Sequence, residues 1–271
     1  MAVNHHQLTQ QQFGDRAQAY LSSQVHSQGE DLVRLAQWLG ENPAASVLDL
    51  GCGAGHASFV AAGVVRDVTA YDLSEKMLAV VRQAASDRQL SNLRTVHGAA
   101  EALPFAEGEF DVVISRYSAH HWHDVPQALR EVQRVLKSGG KFILMDITSP
   151  GRPVLDIWLQ TIEVLRDPSH VRNYSPGEWL QMTQQSGLLV EKLVTGRLAL
   201  EYTSWVERMQ IPEVLRAAIR YLQQTTSDEV KSHFALDEQG SFTSDTLMFQ
   251  ATRDDLFLLQ AIKQRKEGVR R

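Results

Sequence analysis

Cysteine is almost missing from this sequence of 271 residues. Cys52 stands alone, so no internal disulfide framework can form, and the chain suits a reducing compartment. Nor does any apolar run approach the roughly 18 residues of a membrane span. The glutamine-rich start, residues 1–12, has none of the character of a secretory signal. These absences predict a cytoplasmic protein with no membrane span. A basic excess is lacking too: the net charge of -5 offers no positive field to nucleic acid and leaves a small molecule as the default ligand. What the chain does have is core. Its 43% hydrophobic content suffices for one large α/β domain with an added subdomain.

The stretch that organises the rest is Val47-Leu48-Asp49-Leu50-Gly51-Cys52-Gly53-Ala54-Gly55-His56. Its apolar start reads as a buried strand, the glycines as a tight loop, and residues 56–65 as the following helix. A dinucleotide fingerprint has the spacing G-x-G-x-x-G. Here the glycines fall at 51, 53 and 55, and Asp49 stands two residues before the first of them. That carboxylate repels a pyrophosphate but gives an ammonium group a charge-assisted hydrogen bond. S-adenosylmethionine, which carries an ammonium and an adenosine, fits both loop and acid. An NAD-dependent oxidoreductase fits neither. The next predicted strand, Asp67 to Tyr71, ends at Asp72, about 20 residues past the loop, where an acid accepts both ribose hydroxyls. The plainer alternative makes Asp49 a turn cap and Asp72 the cap of a helix from Ser74. For Cys52, packing in the loop is favoured over a reactive thiol.

Four segments together carry a resemblance: 48–55, Tyr71-Asp72-Leu73-Ser74, Ala102-Leu103-Pro104-Phe105 and Arg134-Val135-Leu136-Lys137-Ser138-Gly139-Gly140. They look like the successive motifs of the class I SAM-dependent methyltransferases, and the chain is similar to the small-molecule branch that includes the ubiquinone and menaquinone C-methyltransferases. The resemblance covers residues 10–150. It implies a Rossmann-like, doubly wound α/β fold: a seven-stranded, mostly parallel sheet with an antiparallel edge hairpin and a helical cap insertion. The expected units are an N-terminal lid (1–27), a SAM-binding core (28–150), a cap with the last strands (151–253) and a tail (254–271). The implied cofactor contacts are Asp49, Gly51, Gly53, Gly55, Asp72, Leu73, Met77, Ala99, Ala100, Ser115 and Tyr20. Tyr20 is either a lid residue or a staple of its helix to the core. Related enzymes usually place an acid at the position of Ala99, so adenine falls here to backbone around Ala99 and Ala100. Glu101 is either a substitute for that acid or a solvated helix end.

Along the chain, residues 1–12 read as loosely ordered and 13–20 as an amphipathic segment. Helices are expected at 28–40, at 75–88 with Ser74 as N-cap, and from Pro126 to Leu136 with Gly139-Gly140 as its stop. Strands are expected at 93–97, 110–115 and 141–146. The fourth strand runs into His120-His121-Trp122-His123-Asp124. A metal is the second choice there, because neighbours on an extended segment point opposite ways and no second ligand cluster follows. His120 and His121 are instead candidates for a general base, with His123 or Asp124 capping the next helix. Beyond residue 151 the pattern turns helical. Trp158, His170, Arg172 and Tyr174 are candidate substrate contacts, with packing of the cap as the equal alternative. Ser175 and Glu178 form a capping box before a helix ended by Gly187. Strands near 188–194 and 243–252 form the edge hairpin, with helices at about 203–225 between them, and the tail carries a basic end.

The expected activity is methyl transfer to a small-molecule acceptor at carbon or oxygen, on a phenolic or quinone-like ring. The alternatives are a carboxyl methyltransferase acting on a carrier-bound acyl group and a SAM-binding regulatory protein without catalysis.

Overall fold

A computed structural model describes residues 3–14, 16–21 and 28–254. The basic end of the predicted tail and residues 22–27 of the predicted lid lie outside the described residues. Seven strands form one sheet in the order β3-β2-β1-β4-β5-β7-β6. These are β1 (Ser46–Leu50), β2 (Asp67–Asp72), β3 (Leu93–His97), β4 (Phe110–Arg116), β5 (Leu136–Thr148), β6 (Leu188–Leu200) and β7 (Phe242–Arg253). The first five run parallel to one another, and β7 runs antiparallel to both β5 and β6. The apolar runs in β1 and β4 are buried because helices cover both faces of the sheet.

Among the described residues, two short helices, α1 (His5–Gly14) and α2 (Ala17–Leu21), precede α3 (Glu30–Gly40). Residues 5–12 are thus helical, contrary to the loose start expected. Tertiary contacts hold them: Gln10 Nε2 donates to the Leu73 carbonyl at 2.8 Å and His5 Nε2 to that of His121 at 3.0 Å. The core helices are α4 (His56–Ala62), α5 (Glu75–Asp87) and α6 (Val125–Val135). Ser74 caps α5, and Asp124 caps α6 by accepting from the Gln127 amide. After Val135 the chain goes straight into β5, where Leu136 pairs with Phe110. Gly139 and Gly140 therefore lie in an irregular stretch of strand, and do not stop the helix as expected.

The cap comes from two stretches. Helix α7 (Pro153–Arg166) follows β5, while α9 (Tyr202–Glu207), α10 (Glu213–Thr225) and α11 (Asp228–His233) bridge β6 and β7. Leu155, Trp158, Leu159 and Ile162 of α7 meet Trp205, Ile219, Val230 and Phe234 in one buried cluster. Between β5 and β6 lies also α8 (Pro176–Gln185), opened by the predicted Ser175–Glu178 capping box. No described helix is long and apolar enough to cross a membrane.

Candidate functional site

The carboxyl ends of β1, β2 and β4 open into a crevice of about 1050 Å³, open solvent at its entrance included, where ligands bind in open parallel sheets. The glycine loop is tied to β2, since the amides of Gly51 and Cys52 both donate to the Tyr71 carbonyl. At Gly51, φ is +71°, and a Cβ would stand 1.9 Å from Ser118 Oγ, so no other residue fits. Asp72 braces the same loop, accepting from the Gly53 and Ser74 amides at 2.8 Å each. Burial raises its pKa, against those backbone bonds.

Asp49 lines the cavity and is wholly buried. Its Oδ2 accepts from Ser58 Oγ at 2.5 Å, while Oδ1 has no hydrogen-bond partner among the described residues. Burial, with the charge of Asp72 adding to it, lifts this carboxyl to about 7 against the opposing Ser58 and Arg116. Burial also pushes the Cys52 thiol up, which fits a packed loop residue better than a reactive thiolate.

The cavity gathers Tyr20, Gly51, Gly53, Leu73, Met77, Ala99 and Ala100 along with the two acids. Gly55 and Ser115 do not line it. Gly55 turns into the packing of Phe59 and Val81, and Ser115 is fully buried in the sheet. Side chains alternate along a strand, so the residue after Ser115 faces the cavity instead. That residue, Arg116, was missed, although its place at the end of an apolar strand marks it. It is held by Asp31 at 2.5 Å. Tyr117 follows with φ at +49°, an uncommon conformation for a bulky residue. Glu101 lines the cavity, with one oxygen taking the amides of His123 and Asp124 and the other 3.5 Å from His6. It is thus neither a free adenine acceptor nor a solvated end.

A second cavity, of about 580 Å³ with the open solvent at its entrance included, lies under the cap and shares Phe13, Tyr20, Tyr117 and His121 with the first. His120 lines this second cavity alone. Residues 119–121 form a 3-10 turn, not an extended segment, and the His120 and His121 rings come within 4.2 Å centroid to centroid. The geometric ground for separating them therefore fails. Among the described residues, however, no group of three or more His, Cys, Asp or Glu is arranged to hold a metal. His120 Nδ1 donates to Asp146 Oδ1 at 2.6 Å. Burial alone would depress this imidazole, but the Asp146 charge and hydrogen bond, with Glu163 and Asp167 behind, turn the net shift upward. Burial and the neighbouring His120 charge lower His121 to about 4, and its Nδ1 faces the Ser169 carbonyl at 3.2 Å.

None of the four candidate substrate contacts lines either cavity. Trp158 packs on Phe234 and Phe242 inside the cap. His170 donates to Gln160 Oε1, with its pKa forced down to about 2 chiefly by burial. Arg172 is spent on Asp156 and Glu178, and Tyr174 meets Trp179 edge to face. For Trp158, His170 and Arg172 the contacts support packing of the cap, while Tyr174 packs against the sheet core.

Residues 48–144 match the family described as a methyltransferase domain. The chain is similar to YafE of Escherichia coli (strain K12), 58% identical over 201 residues that make up 74% of this chain and 97% of that one. It is also similar to the methyltransferase YcgJ of Bacillus subtilis (strain 168), 36% identical over 89% of this chain and 97% of that one. The crystal structure of YcgJ superposes with a TM-score of 0.80 over 83% of this chain and 98% of that one, at 33% identity. A demethylmenaquinone methyltransferase of Listeria monocytogenes serotype 4a (strain HCC23) is 33% identical over 50% of this chain and 60% of its own length.

Proposed function

This chain belongs to the class I SAM-dependent methyltransferases, and we propose that it methylates a small molecule held in the second cavity, with His120 taking a proton from the acceptor's hydroxyl or enol. The observation that carries this reading is the His120–Asp146 pair, at 2.6 Å, on the wall of a chamber that shares four residues with the crevice. A small-molecule acceptor is further supported by the Listeria relative, whose name gives demethylmenaquinone as what it methylates.

The crevice fits the methyl donor on one point above all. The orphaned Asp49 Oδ1 is a buried acceptor that an ammonium would satisfy. Asp72 would take the ribose hydroxyls on the lone pairs that the loop amides leave over, and Leu73, Met77, Ala99 and Ala100 would border the adenosine. When bound, S-adenosylmethionine supplies a methyl group on a sulfonium, a donor that leaves as a neutral thioether. The protein's task is then to orient the acceptor and exclude water, for which orientation alone supplies roughly 7–11 kcal/mol. Asp146 fixes the proton of His120 on Nδ1, so Nε2 is the atom that accepts the acceptor's proton. His120 works in its neutral form, and its raised pKa places the acid limb of the rate profile above the ordinary histidine value of 6.5.

The test is methyl transfer from labelled S-adenosylmethionine to a panel of phenols and hydroquinones. His120→Asn is expected to lower kcat by about 10²–10⁴ with cofactor affinity unchanged. Asp146→Asn should move the acid limb to lower pH. A protein that does not bind S-adenosylmethionine in calorimetry, or a His120→Asn variant of full activity, would overturn the proposal.

A further inference from the structure

Two polar side chains of the second cavity have no part in the reaction proposed for His120. Glu163, on α7, lines the cavity with only 10% of its side chain exposed, and among the described residues its one ion pair is with Arg166 Nη1, at 3.5 Å. Burial raises the pKa of its carboxyl, against the charges of Arg166 and His120. Asn173 lines the same cavity and is 2% exposed. Its backbone is used on both sides, the amide donating to Gln160 Oε1 at 3.0 Å and the carbonyl accepting from Gln160 Nε2 at 2.7 Å, but its side-chain amide bonds to no described residue. Two constraints keep this pair beside His120. Gln160 stands one turn before Glu163 on α7, so the clamp that it closes on Asn173 brings loop and helix together. The amides of Val171 and Arg172 donate to the His120 carbonyl at 2.9 and 3.2 Å, which ties the loop that carries Asn173 to the turn that carries the base. Ile147, Leu198, Leu200 and Trp205 supply apolar surface to the same cavity.

A buried carboxyl and a buried amide that lack hydrogen bonds cost stability, and a ligand that supplies those bonds recovers it. A hydroxyl group suits both at once, because its proton goes to the carboxylate while its oxygen accepts from the amide N–H. An ammonium offers protons alone and an ionised carboxylate only acceptors, so neither satisfies the pair. Resting on the proposed function, we propose that Glu163 and Asn173 form a subsite for a second hydroxyl of the acceptor, apart from the group that His120 deprotonates. Glu163 accepts a hydrogen bond from that hydroxyl, and Asn173 Nδ2 donates one to its oxygen. The substrate class is therefore an uncharged molecule with a hydroxyl beyond the reacting group, on an apolar or aromatic body. Neither residue meets the reacting atoms, so the pair sets which acceptor binds and in which orientation, while His120 serves the chemistry.

The test measures binding to the full chain saturated with S-adenosylhomocysteine, by calorimetry at one pH. The probes are the 1,2-, 1,3- and 1,4-dihydroxybenzenes, beside phenol, which lacks the second hydroxyl. At least one of the three diols should bind about tenfold or more tightly than phenol, as for a hydrogen bond to a charged group. That preference should shrink to about threefold or less in Glu163→Gln and in Asn173→Leu, while phenol binds both variants as it binds the natural chain. It should stay whole in Glu229→Gln, whose side chain lies outside the cavity. Thermal melts separate a lost contact from a lost fold, and Glu163→Gln, which keeps the shape and removes a buried charge, keeps the test alive where Asn173→Leu fails to fold. Equal binding of phenol and every diol, no binding of any probe, or a preference that survives whole in either folded variant overturns the inference while leaving the methyltransferase reading intact. A chain that does not bind S-adenosylhomocysteine overturns both.

Discussion

Cofactor affinity should fall steeply as Asp49 is protonated. In the free protein this carboxyl titrates at about 7, because burial opposes its charge. An ammonium beside Oδ1 would hold it ionised in the complex, so the apparent Kd grows by the factor 1 + 10^(pKa − pH) as pH falls. From about pH 7.5 to about pH 5.5, below the ligand's own amine pKa of about 7.7–8.0, that factor predicts a loss of about 25-fold. At about pH 6, binding should release about nine tenths of a proton, measurable by calorimetry in buffers of different ionisation enthalpy. Asp49→Asn should flatten both readouts at a uniformly weaker affinity. The same shift has a stability side of opposite sign. A carboxyl whose folded pKa lies above its ordinary 3.8 imposes no penalty below about pH 3.8, an increasing one up to about 7, and a constant one beyond. The penalty reaches at most about 4 kcal/mol. Asp49→Asn should therefore melt higher than the natural chain at about pH 8 and lose that advantage at about pH 4. An affinity independent of pH in the natural chain, or an unchanged slope in Asp49→Asn, would refute the reasoning.

Two further substitutions probe the scaffold. Gly51→Ala forces a Cβ into Ser118 Oγ at a left-handed position, so it should destabilise by about 1–3 kcal/mol in denaturant melts and abolish saturable cofactor binding. Trp158→Ala empties the middle of the cap and should lower stability by about 3–5 kcal/mol, yet leave cofactor Kd within about twofold, because the side chain touches neither cavity. A large rise in acceptor KM in a folded Trp158→Ala variant would restore Trp158 as a substrate contact.

The core was legible because its information is local. A strand, a glycine loop and a helix follow one another within residues 46–62, and Asp124, Ser74 and Ser175 each cap a helix that begins at the next residue. The N-terminal helix was not legible, since its glutamines carry no apolar stripe and contacts across 63 and 116 positions keep it in place. Ser115 and Arg116 show the limit of strand reading: a one-residue slip exchanges the buried face for the cavity. The pairing of His120 with Asp146 depends on β4 and β5 lying side by side, with Arg116 opposite Met145. A parallel sheet containing both strands was expected, but the 3-10 turn that returns His120 over its neighbour was not. The second cavity was out of reach altogether, because its wall joins residues as distant as Phe13 and Arg208.

Phe13 and Tyr20 border both chambers, and the Tyr20 carbonyl is fastened to the cofactor loop through His56 Nε2 at 3.0 Å. Steady-state kinetics at these two positions will not separate into one parameter for each substrate. Enlarging or trimming either ring reshapes two binding sites at once, so KM for donor and acceptor should shift together, and a screen that varies only one of them would assign the residue to the wrong partner.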